Sequence, residues 1–443
     1  MTATVPMAAT LPPGPRWPAV VQTAVWALAP VEFGRYCLRR YGPLFTARIL
    51  GFGPVVHVCA PETVRRVLST EAHRFDAAKA NEAIRFVVGA HSLLLSGEAE
   101  HTARRRVLMR PLHGANVARY VEVMEAAVAR EVDGWAVGST VRLLDSFQRV
   151  TLEVMMRAVF GITDSARLAR LRVLVPRLLA INPLVILVPA VRRNFGGHGP
   201  WARLTALVTE VDAIIHAELA ERRAARRAGA EPGPDVVSAL LACPEPVSDA
   251  ELRDHMVTLL AVGQETTATQ LAWLFERLLR LPDALAAVTA AAREADRADQ
   301  NGRDVLDAAV HEAIRSRPTT MDLGRVAVEP WEADGFTVPA GTLVAVSLGL
   351  LHRRPAAYPD PDSYDLARRL QHGPGFLPFG AGEHRCLGAS LAMVQMRTVL
   401  TAVLTAVTLA PDRAFAEWAA PKGPMLLPHR GARARVVAKG RPC

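Results

Sequence analysis

The sequence predicts a mainly α-helical chain with small β-sheets, an α+β fold. The first observation is periodicity, since apolar residues recur every three or four positions in long segments rich in alanine, leucine, arginine and glutamate. These predicted helices are 117–135, 146–161, 202–227, 248–281 and 303–317. The second observation is that runs typical of strands are few, and they lie at 44–50, 55–60, 335–348 and 432–438. We therefore expect a large helical body with a small sheet-rich part near each end, in one domain over residues 1–443.

Composition and charge narrow the class of protein. Half of the 443 residues are hydrophobic and 21% are charged, which supports a large buried core and excludes general disorder. The net charge of +9 is spread along the chain without a basic tail, so an acidic protein partner, or no special partner, is favoured over nucleic acid. The bias toward alanine and arginine indicates a bacterial source.

The cysteines and the apolar segments indicate a cytoplasmic protein. Five cysteines without a C-x-x-C pair predict neither a disulfide framework nor a structural zinc site. The proline-rich segment 1–30 fits neither a signal peptide nor a membrane-spanning helix. The apolar run 181–191 contains two prolines and is too short to span a membrane. We expect a soluble monomer with no transmembrane segment, in which this run is a buried loop or contacts a membrane weakly.

The segment "GFLPFGAGEHRCLG", residues 375–388, places Cys386 in a glycine-rich turn just before a predicted helix. Unpaired backbone N–H groups and the helix dipole favour a negative sulfur at such a place. Gly380 and Gly388 allow the backbone to bend and a bulky group to approach, and Phe379 can shield the sulfur. Three interpretations of the cysteine fit this turn: a covalent catalyst with a histidine base, an axial metal ligand, or an inert buried side chain. The turn alone leaves these interpretations open.

The predicted helix over 256–279 contains residues that weaken it. Gly263, Thr266 and Thr267 lie in its middle, where a glycine costs about 1 kcal/mol relative to alanine. Local departures of this kind often mark function. The Thr266 hydroxyl can bond the carbonyl of Val262 and open the helix locally. On periodicity alone, a tolerated glycine and a packed threonine pair explain the pattern.

The turn around the cysteine resembles the haem-binding signature of the cytochrome P-450 family, F-G-x-G-x-H-x-C-x-G. Every specified position is filled, by Phe379, Gly380, Gly382, His384, Cys386 and Gly388. The resemblance implies the cytochrome P-450 fold, with a long central helix over the haem and the cysteine loop beneath it. It implies haem b, iron protoporphyrin IX, with the Cys386 thiolate as the iron ligand.

The middle of the central helix resembles the family's G-x-[DE]-T stretch through Gly263, Glu265 and Thr266. The resemblance implies that Gly263 opens a groove for O2. Thr266 would hold activated oxygen and its waters, and Glu265 would pass protons inward from solvent. An acid beside a hydroxyl suits stepwise proton delivery.

Two basic pairs resemble the family's haem-propionate contacts. His101 and Arg105 match H-x-x-x-R, and Arg325 in "DLGRVAV" joins them together with His384. Arginine grips a carboxylate with two parallel hydrogen bonds, so these residue types suit propionates.

A further match concerns structure and not chemistry. Glu312 and Arg315 resemble the family's buried E-x-x-R pair, although a surface ion pair worth less than about 0.5 kcal/mol would have the same spacing. Arg368 corresponds to the arginine of the family's F-x-P-x-R stretch, and is the expected third partner. Here the phenylalanine and the proline of that stretch are replaced by tyrosine and leucine.

The function implied by the resemblance is a haem-thiolate monooxygenase that inserts one atom of O2 into a hydrophobic organic substrate. Electrons would come from NAD(P)H through a ferredoxin reductase and a ferredoxin, and an acidic ferredoxin suits the basic charge. The docking face is expected to use Arg104, Arg106 or Arg110, unless these arginines are simply solvated. The alternatives are a peroxide-driven or non-oxygenating haem-thiolate enzyme, or a non-catalytic haem sensor or carrier. Glu265 and Thr266 favour the monooxygenase.

The substrate pocket is expected to be apolar. Its lining residues by the resemblance are Phe86, Val87, Leu184, Val262, Met321 and Leu323. Each of them can equally be ordinary core.

Overall fold

Helices form most of the structure. The computed structural model describes residues 11–180, 185, 189–194, 196–243, 247–294, 300–370 and 373–440. Its helices are Ala19–Leu28, Pro30–Tyr41, Pro61–Arg65, Ala77–Ala80, Arg85–Val88, Glu98–Met109, Ala115–Ala118, Val121–Asp133, Leu143–Val154, Ser165–Leu179, Pro200–Arg227, Val236–Leu241, Asp249–Leu278, Pro282–Glu294, Gln300–Ser316, Leu348–Leu351 and Ala389–Ala406. Each of the five helices predicted from periodicity is present, with ends shifted by a few residues.

The longest helix, Asp249–Leu278, is called the central helix below. The Ser248 hydroxyl caps its start by accepting a hydrogen bond of 3.2 Å from the Glu251 N–H. The helix is buried on nearly every side, as expected for an element at the middle of a large core. Residues 252–260 pack into one apolar cluster and residues 268–279 into another. The segment 261–267, which holds the predicted catalytic residues, therefore lies at the boundary between two cores.

Within the described residues, twelve strands form four small sheets. They are β1 Leu44–Ile49, β2 Gly53–Val58, β3 Phe75–Asp76, β4 Thr140–Arg142, β5 Asp322–Ala327, β6 Trp331–Ala333, β7 Phe336–Val338, β8 Leu343–Ser347, β9 Val407–Pro411, β10 Ala419–Lys422, β11 Met425–Pro428 and β12 Arg433–Lys439. The largest sheet has the order β1-β2-β8-β5-β3, in which β2 and β8 run parallel and the other pairs antiparallel. A second sheet has the order β4-β12-β9, and β6–β7 and β10–β11 are hairpins.

The expectation of one sheet-rich part near each end of the chain was wrong, because strands distant in sequence share the same sheets. Strands from the first 80 residues pair with strands from 322–347 in one sheet. The second sheet likewise joins residues near 140 to residues near 410 and 435. Alternation along a strand marks its faces but not its distant partner, so the sequence could not identify these pairings.

One helix in the described part of the chain, Ala389–Ala406, is long and apolar enough to cross a membrane by length and composition. Val399, Leu400 and Val403 on this helix are fully buried in the core formed with the central helix. Its apolar character is therefore explained by packing within the fold. Most of the run 181–191, which was expected to be buried or to touch a membrane weakly, lies outside the described residues.

Candidate functional site

The loop before Ala389 holds Cys386 in a fixed turn. The Cys386 N–H donates a hydrogen bond of 2.8 Å to the Phe379 carbonyl, which closes the loop. Gly380 and Gly382 have φ of 71° and 68°, the left-handed region that favours glycine. Gly388 is the N-cap of the helix Ala389–Ala406, so the cysteine precedes the first helical turn as predicted.

The environment of the Cys386 sulfur combines access to water with closely surrounding protein. The side chain is accessible to water, yet the surrounding protein is dense enough that burial raises the pKa of the thiol. A hydrogen bond from the Gly388 backbone amide and the positive charges of Arg105 and Arg385 act in the opposite direction on that pKa. A bound metal ion would supply the further positive charge that a thiolate needs here.

Three observations bear on the three interpretations of the cysteine. In the part of the chain that the structure describes, no hydrogen bond joins Cys386 to a histidine, which a covalent catalyst would need. Over the same residues no group of three or more histidine, cysteine and acidic side chains could hold a metal ion by itself. An inert cysteine would be closed off from water, whereas this one is accessible. A single axial ligand to a cofactor fits these observations.

Four basic side chains from three separate segments meet beside the cysteine loop. The rings of His101 and His384 lie 4.0 Å apart, and Arg105 and Arg325 are close enough to act on both. Burial first, and then the neighbouring positive groups, lower the pKa of His384 to about 4. Burial lowers the pKa of Arg325 to about 10. The nearest acids, Glu383 and Asp76, only partly offset this repulsion.

The cluster suits an anionic ligand. Buried like charges are costly unless an opposite charge is bound between them. Among the residues that the structure describes, His101 Nδ1 is buried without a hydrogen-bond partner, and the Arg325 guanidinium bonds only the Gly324 carbonyl, at 2.7 Å. A group with two carboxylates, such as haem, would satisfy both the charge and the free donors.

Beyond its exposed first two residues, the central helix presents an accessible patch around Val262 in an otherwise largely buried element. Val262 is 41% exposed, and Gly263 and Thr266 are partly exposed. The Thr266 hydroxyl donates a hydrogen bond of 2.7 Å to the Val262 carbonyl, as predicted. The expected local opening does not occur, because the helix is continuous through this point. A Cβ at Gly263 would lie 3.1 Å from Met155, so the glycine also allows that side chain to pack closely.

Glu265 is buried and forms an ion pair with Lys422. Lys422 is the last residue of β10 and was not identified from the sequence. One signal could have drawn attention to it. Only three lysines, Lys79, Lys422 and Lys439, occur among the 52 lysines and arginines of the chain.

The Glu312–Arg315 pair is buried. Arg315 donates two hydrogen bonds of 2.7 Å to the carboxylate and is itself fully enclosed. Arg368 approaches Glu312 to 3.5 Å and is also buried. Arg315 further donates to the carbonyls of His352 and Ser363, at 3.1 and 2.8 Å. The trio therefore joins the helix Gln300–Ser316 to the segment that leads to the cysteine loop.

The residues expected to line a substrate pocket divide into three groups. Val87 and Met321 are only 2% and 6% exposed and belong to the core, the alternative that the sequence left open. Phe86 and Leu323 are partly buried, and Val262 is exposed. Leu184 lies outside the described residues.

Leu323 approaches the cysteine loop, since its Cδ1 would be 3.4 Å from a Cβ on Gly380. Two clefts of about 400 and 480 Å³ lie elsewhere, beside Arg223 and beside Arg149. They contain none of the predicted site residues, so the chemistry of the side chains and not cleft volume identifies this site.

The arginines expected to face an electron donor differ in their exposure to solvent. Arg104 is largely buried in an ion pair with Glu251 of the central helix, so it is not a free surface charge. Arg106 and Arg110 are exposed.

Comparison with known proteins extends these findings. Residues 12–432 match the family described as Cytochrome P450. Cytochrome P450 135B1 of Mycobacterium bovis is 37% identical over 435 residues, which are 97% of this chain and 92% of the relative. Cytochrome P450 138 of the same organism is 32% identical over 453 residues, 99% of this chain and 98% of the relative.

Solved structures of low sequence identity share the fold. The retinoic acid-bound cyanobacterial CYP120A1 is similar with a TM-score of 0.81 and 21% identity, over 98% of this chain and 100% of that one. The haem domain of cytochrome P450DA is similar with a TM-score of 0.80 and 23% identity, over 98% of each chain. The α+β fold expected from the sequence is thereby confirmed.

Proposed function

The chain belongs to the cytochrome P450 family, whose members are in general haem-thiolate monooxygenases, and we propose that it oxidises a hydrophobic organic substrate with O2. The observation that carries the proposal is the accessible Cys386 sulfur beside a buried cluster of basic groups. That pairing supplies one iron ligand and a place for two carboxylates, which together suit haem b.

We propose that residues of the cysteine loop and of the basic cluster bind the cofactor. Cys386 would ligate the iron, with the Gly388 amide directed at its sulfur. His101, Arg105, Arg325 and His384 would bind the propionates. Phe379 and Gly380 would shape the loop around the sulfur. When bound, the haem supplies the activation of O2 that amino-acid side chains cannot provide.

We assign proton delivery to the central helix. Thr266 carries an accessible hydroxyl, and its hydrogen bond to the Val262 carbonyl fixes the direction of the oxygen. Glu265, the next residue, holds a carboxylate that is buried but joined to the surface through Lys422. A proton taken from solvent at Glu265 would move to the Thr266 oxygen and its waters. Gly263 keeps a side chain out of this place.

The apolar groups around the site and the net charge of the chain support an apolar substrate and an acidic electron donor. Val262, Phe86 and Leu323 are accessible or partly accessible apolar groups, which supports an apolar substrate. The net charge of +9 supports an acidic ferredoxin, reduced by NAD(P)H through its reductase, docking near Arg106 and Arg110. We propose a monomer in the cytoplasm, since the five cysteines predict no disulfide framework.

The absorption spectrum of the reduced protein with CO tests the proposal. A Soret band at the position typical of thiolate-ligated haem is expected for the unchanged protein and for Cys243→Ala, in which another free cysteine is removed. The band should be lost in Cys386→Ala. Loss in neither variant, or no haem in the purified protein, would refute the assignment of Cys386.

Consumption of NADPH with a surrogate ferredoxin and its reductase then tests turnover. Substrate-dependent NADPH consumption and O2 uptake are expected. Turnover with peroxide alone would indicate a peroxide-driven enzyme. Absence of both NADPH-driven and peroxide-driven turnover would indicate a sensor or carrier.

A further inference from the structure

The ion pair between Glu265 and Lys422 joins two elements that are far apart in sequence. The Glu265 carboxylate is only 5% exposed, whereas the Lys422 side chain is 44% exposed. A buried carboxylate is costly without a partner, so the lysine accounts for the charge at this place. The contact spans 157 positions of the chain.

Lys422 stands at the tip of the hairpin β10–β11. It pairs with Met425 across the turn, and Gly423 within that turn has a φ of 57°. The strand β11 is fixed to the central helix, because Trp273 Nε1 donates a hydrogen bond of 2.8 Å to the Leu426 carbonyl. Among the described residues, Lys422 gives the strand β10 its one hydrogen bond to the central helix. The strand otherwise pairs with β11, and its first residue, Ala419, packs against the core near the helix Ala19–Leu28.

The helix surface under the hairpin is continuous from Glu265 to Trp273. Residues four apart lie on one face of a helix, so Glu265, Thr269 and Trp273 form a single row. Trp273 holds the fixed strand and Glu265 holds the tip. The hairpin therefore packs along this row, which includes Glu265, the neighbour of Thr266 in sequence. Its β11 side is also held by the bridge between Thr320 and Met425, whereas Lys422 on the β10 side is held to the helix by the ion pair.

We propose that Lys422 is a positioning residue, which holds the Glu265 carboxylate beside Thr266 and makes proton delivery depend on where the hairpin tip lies. The proposal rests on the proposed function, since it assumes that Glu265 handles protons. Lys422 does not touch the reacting atoms. It binds Oε1 of the carboxylate and thereby restricts the orientation of the whole group.

Removal of the lysine tests this arrangement. Lys422→Met keeps the length and apolar stem of the side chain but removes the ammonium, so the carboxylate loses its fixed partner. We expect the fraction of NADPH electrons released as hydrogen peroxide to rise severalfold, and kcat for substrate oxidation to fall about tenfold, with little change in KM. Lys422→Arg restores a cation at the tip and should recover most of the coupling.

Two further variants separate positioning from a general effect of charge. Lys439→Met removes another lysine, one that donates a hydrogen bond of 2.9 Å to the Asp133 carbonyl on the surface, and should leave coupling unchanged. In a Glu265→Gln background, Lys422→Met should add almost nothing, because the pair is already broken. Full additivity of the two losses, or normal coupling in Lys422→Met, would overturn the proposal.

A readout independent of turnover completes the test. Hydrogen–deuterium exchange of the holoenzyme should become faster in residues 419–422 in Lys422→Met, while the Leu426 amide stays protected by its hydrogen bond of 2.8 Å to the Thr319 carbonyl. Unchanged exchange in 419–422 would contradict the anchoring role. The CO spectrum of each variant is recorded first, so loss of the thiolate-type band marks failure of the proposed function and not of the Lys422 assignment.

Discussion

Gly382 and the carbonyl oxygen of Leu68 are so close that a Cβ on Gly382 would lie 2.0 Å from that oxygen. Leu68 belongs to the π-helical turn Arg66–Thr70, which follows the helix Pro61–Arg65. The cysteine loop thus packs with its backbone directly against another backbone, and no side chain fits between them. The position of the loop, and with it that of Cys386, depends on this approach.

Gly382→Ala is therefore expected to displace the loop. The substitution combines a steric clash with a φ of 68°, and we expect a loss of stability of about 3 kcal/mol or more, with reduced haem content. Urea unfolding and the haem-to-protein ratio measure the two effects. Gly373→Ala is the control, because nothing lies within 4 Å of a Cβ there and its φ is not positive. Equal stability of the two variants would show that the loop can shift away from Leu68.

Local spacing was enough to predict part of this site. The turn before the helix, the Thr266 bond to Val262 and the Glu312–Arg315 pair all involve residues within a few positions of one another. The Lys422–Glu265 pair could not be predicted, because it depends on a hairpin that folds back over the central helix. The same limit applies to the sheet that joins β2 to β8.

Spacing also cannot tell whether a pair is buried. Glu62 and Arg65 have the same E-x-x-R spacing as Glu312 and Arg315, yet their side chains are 80% and 60% exposed. Burial is decided by what packs over the helix, and for Arg315 this includes the carbonyls of His352 and Ser363. The burial of Glu312 and Arg315 was therefore predicted from the resemblance to a known family and not from their spacing.

These two pairs give a matched test of burial. Arg315→Leu leaves a buried carboxylate without its partner, so we expect a loss of about 3–5 kcal/mol or failure to fold. Arg65→Leu breaks an exposed pair and should change stability by less than about 0.5 kcal/mol. Urea unfolding midpoints and soluble yield report the difference. A small effect of Arg315→Leu would mean that Arg368 compensates as the partner of Glu312.

Thr266→Ala tests the role of the accessible hydroxyl. The variant should keep haem and fold, because the side chain is partly exposed and bonds only its own helix. Without the hydroxyl, protons are no longer directed, and we expect hydrogen peroxide to replace much of the oxidised product. The measure is peroxide formed per NADPH consumed.

Thr267→Val is the control for that experiment. Thr267 is adjacent but only 6% exposed, and valine preserves its shape. We expect normal coupling with at most a modest change in stability. Leakage of peroxide from both variants alike would show that packing of the helix, and not the Thr266 hydroxyl, governs coupling.

His255 predicts how stability responds to acid. Burial first, and then Arg104 and His91, lower the pKa of its imidazole from 6.5 to about 4, whereas Asp254 acts in the opposite direction. Glu251 approaches the ring to 3.6 Å. Between pH 6.5 and 4 the unfolded chain binds a proton that the folded chain refuses, so stability is lost as the pH falls through this range.

Substitution of His255 should remove that part of the acid sensitivity. Neither ring nitrogen has a hydrogen-bond partner within the described part of the chain, so His255→Leu breaks no hydrogen bond there. We expect the fall in unfolding free energy between pH 7 and pH 5 to be smaller by about 2 kcal/mol than in the unchanged protein. His73→Leu, at an exposed position, should leave the slope as it was. If both variants keep the original slope, protonation of His255 is not what destabilises the fold in acid, and the ion pairs of Glu251 and Asp254 with Arg104 and Arg253 become the groups to substitute next.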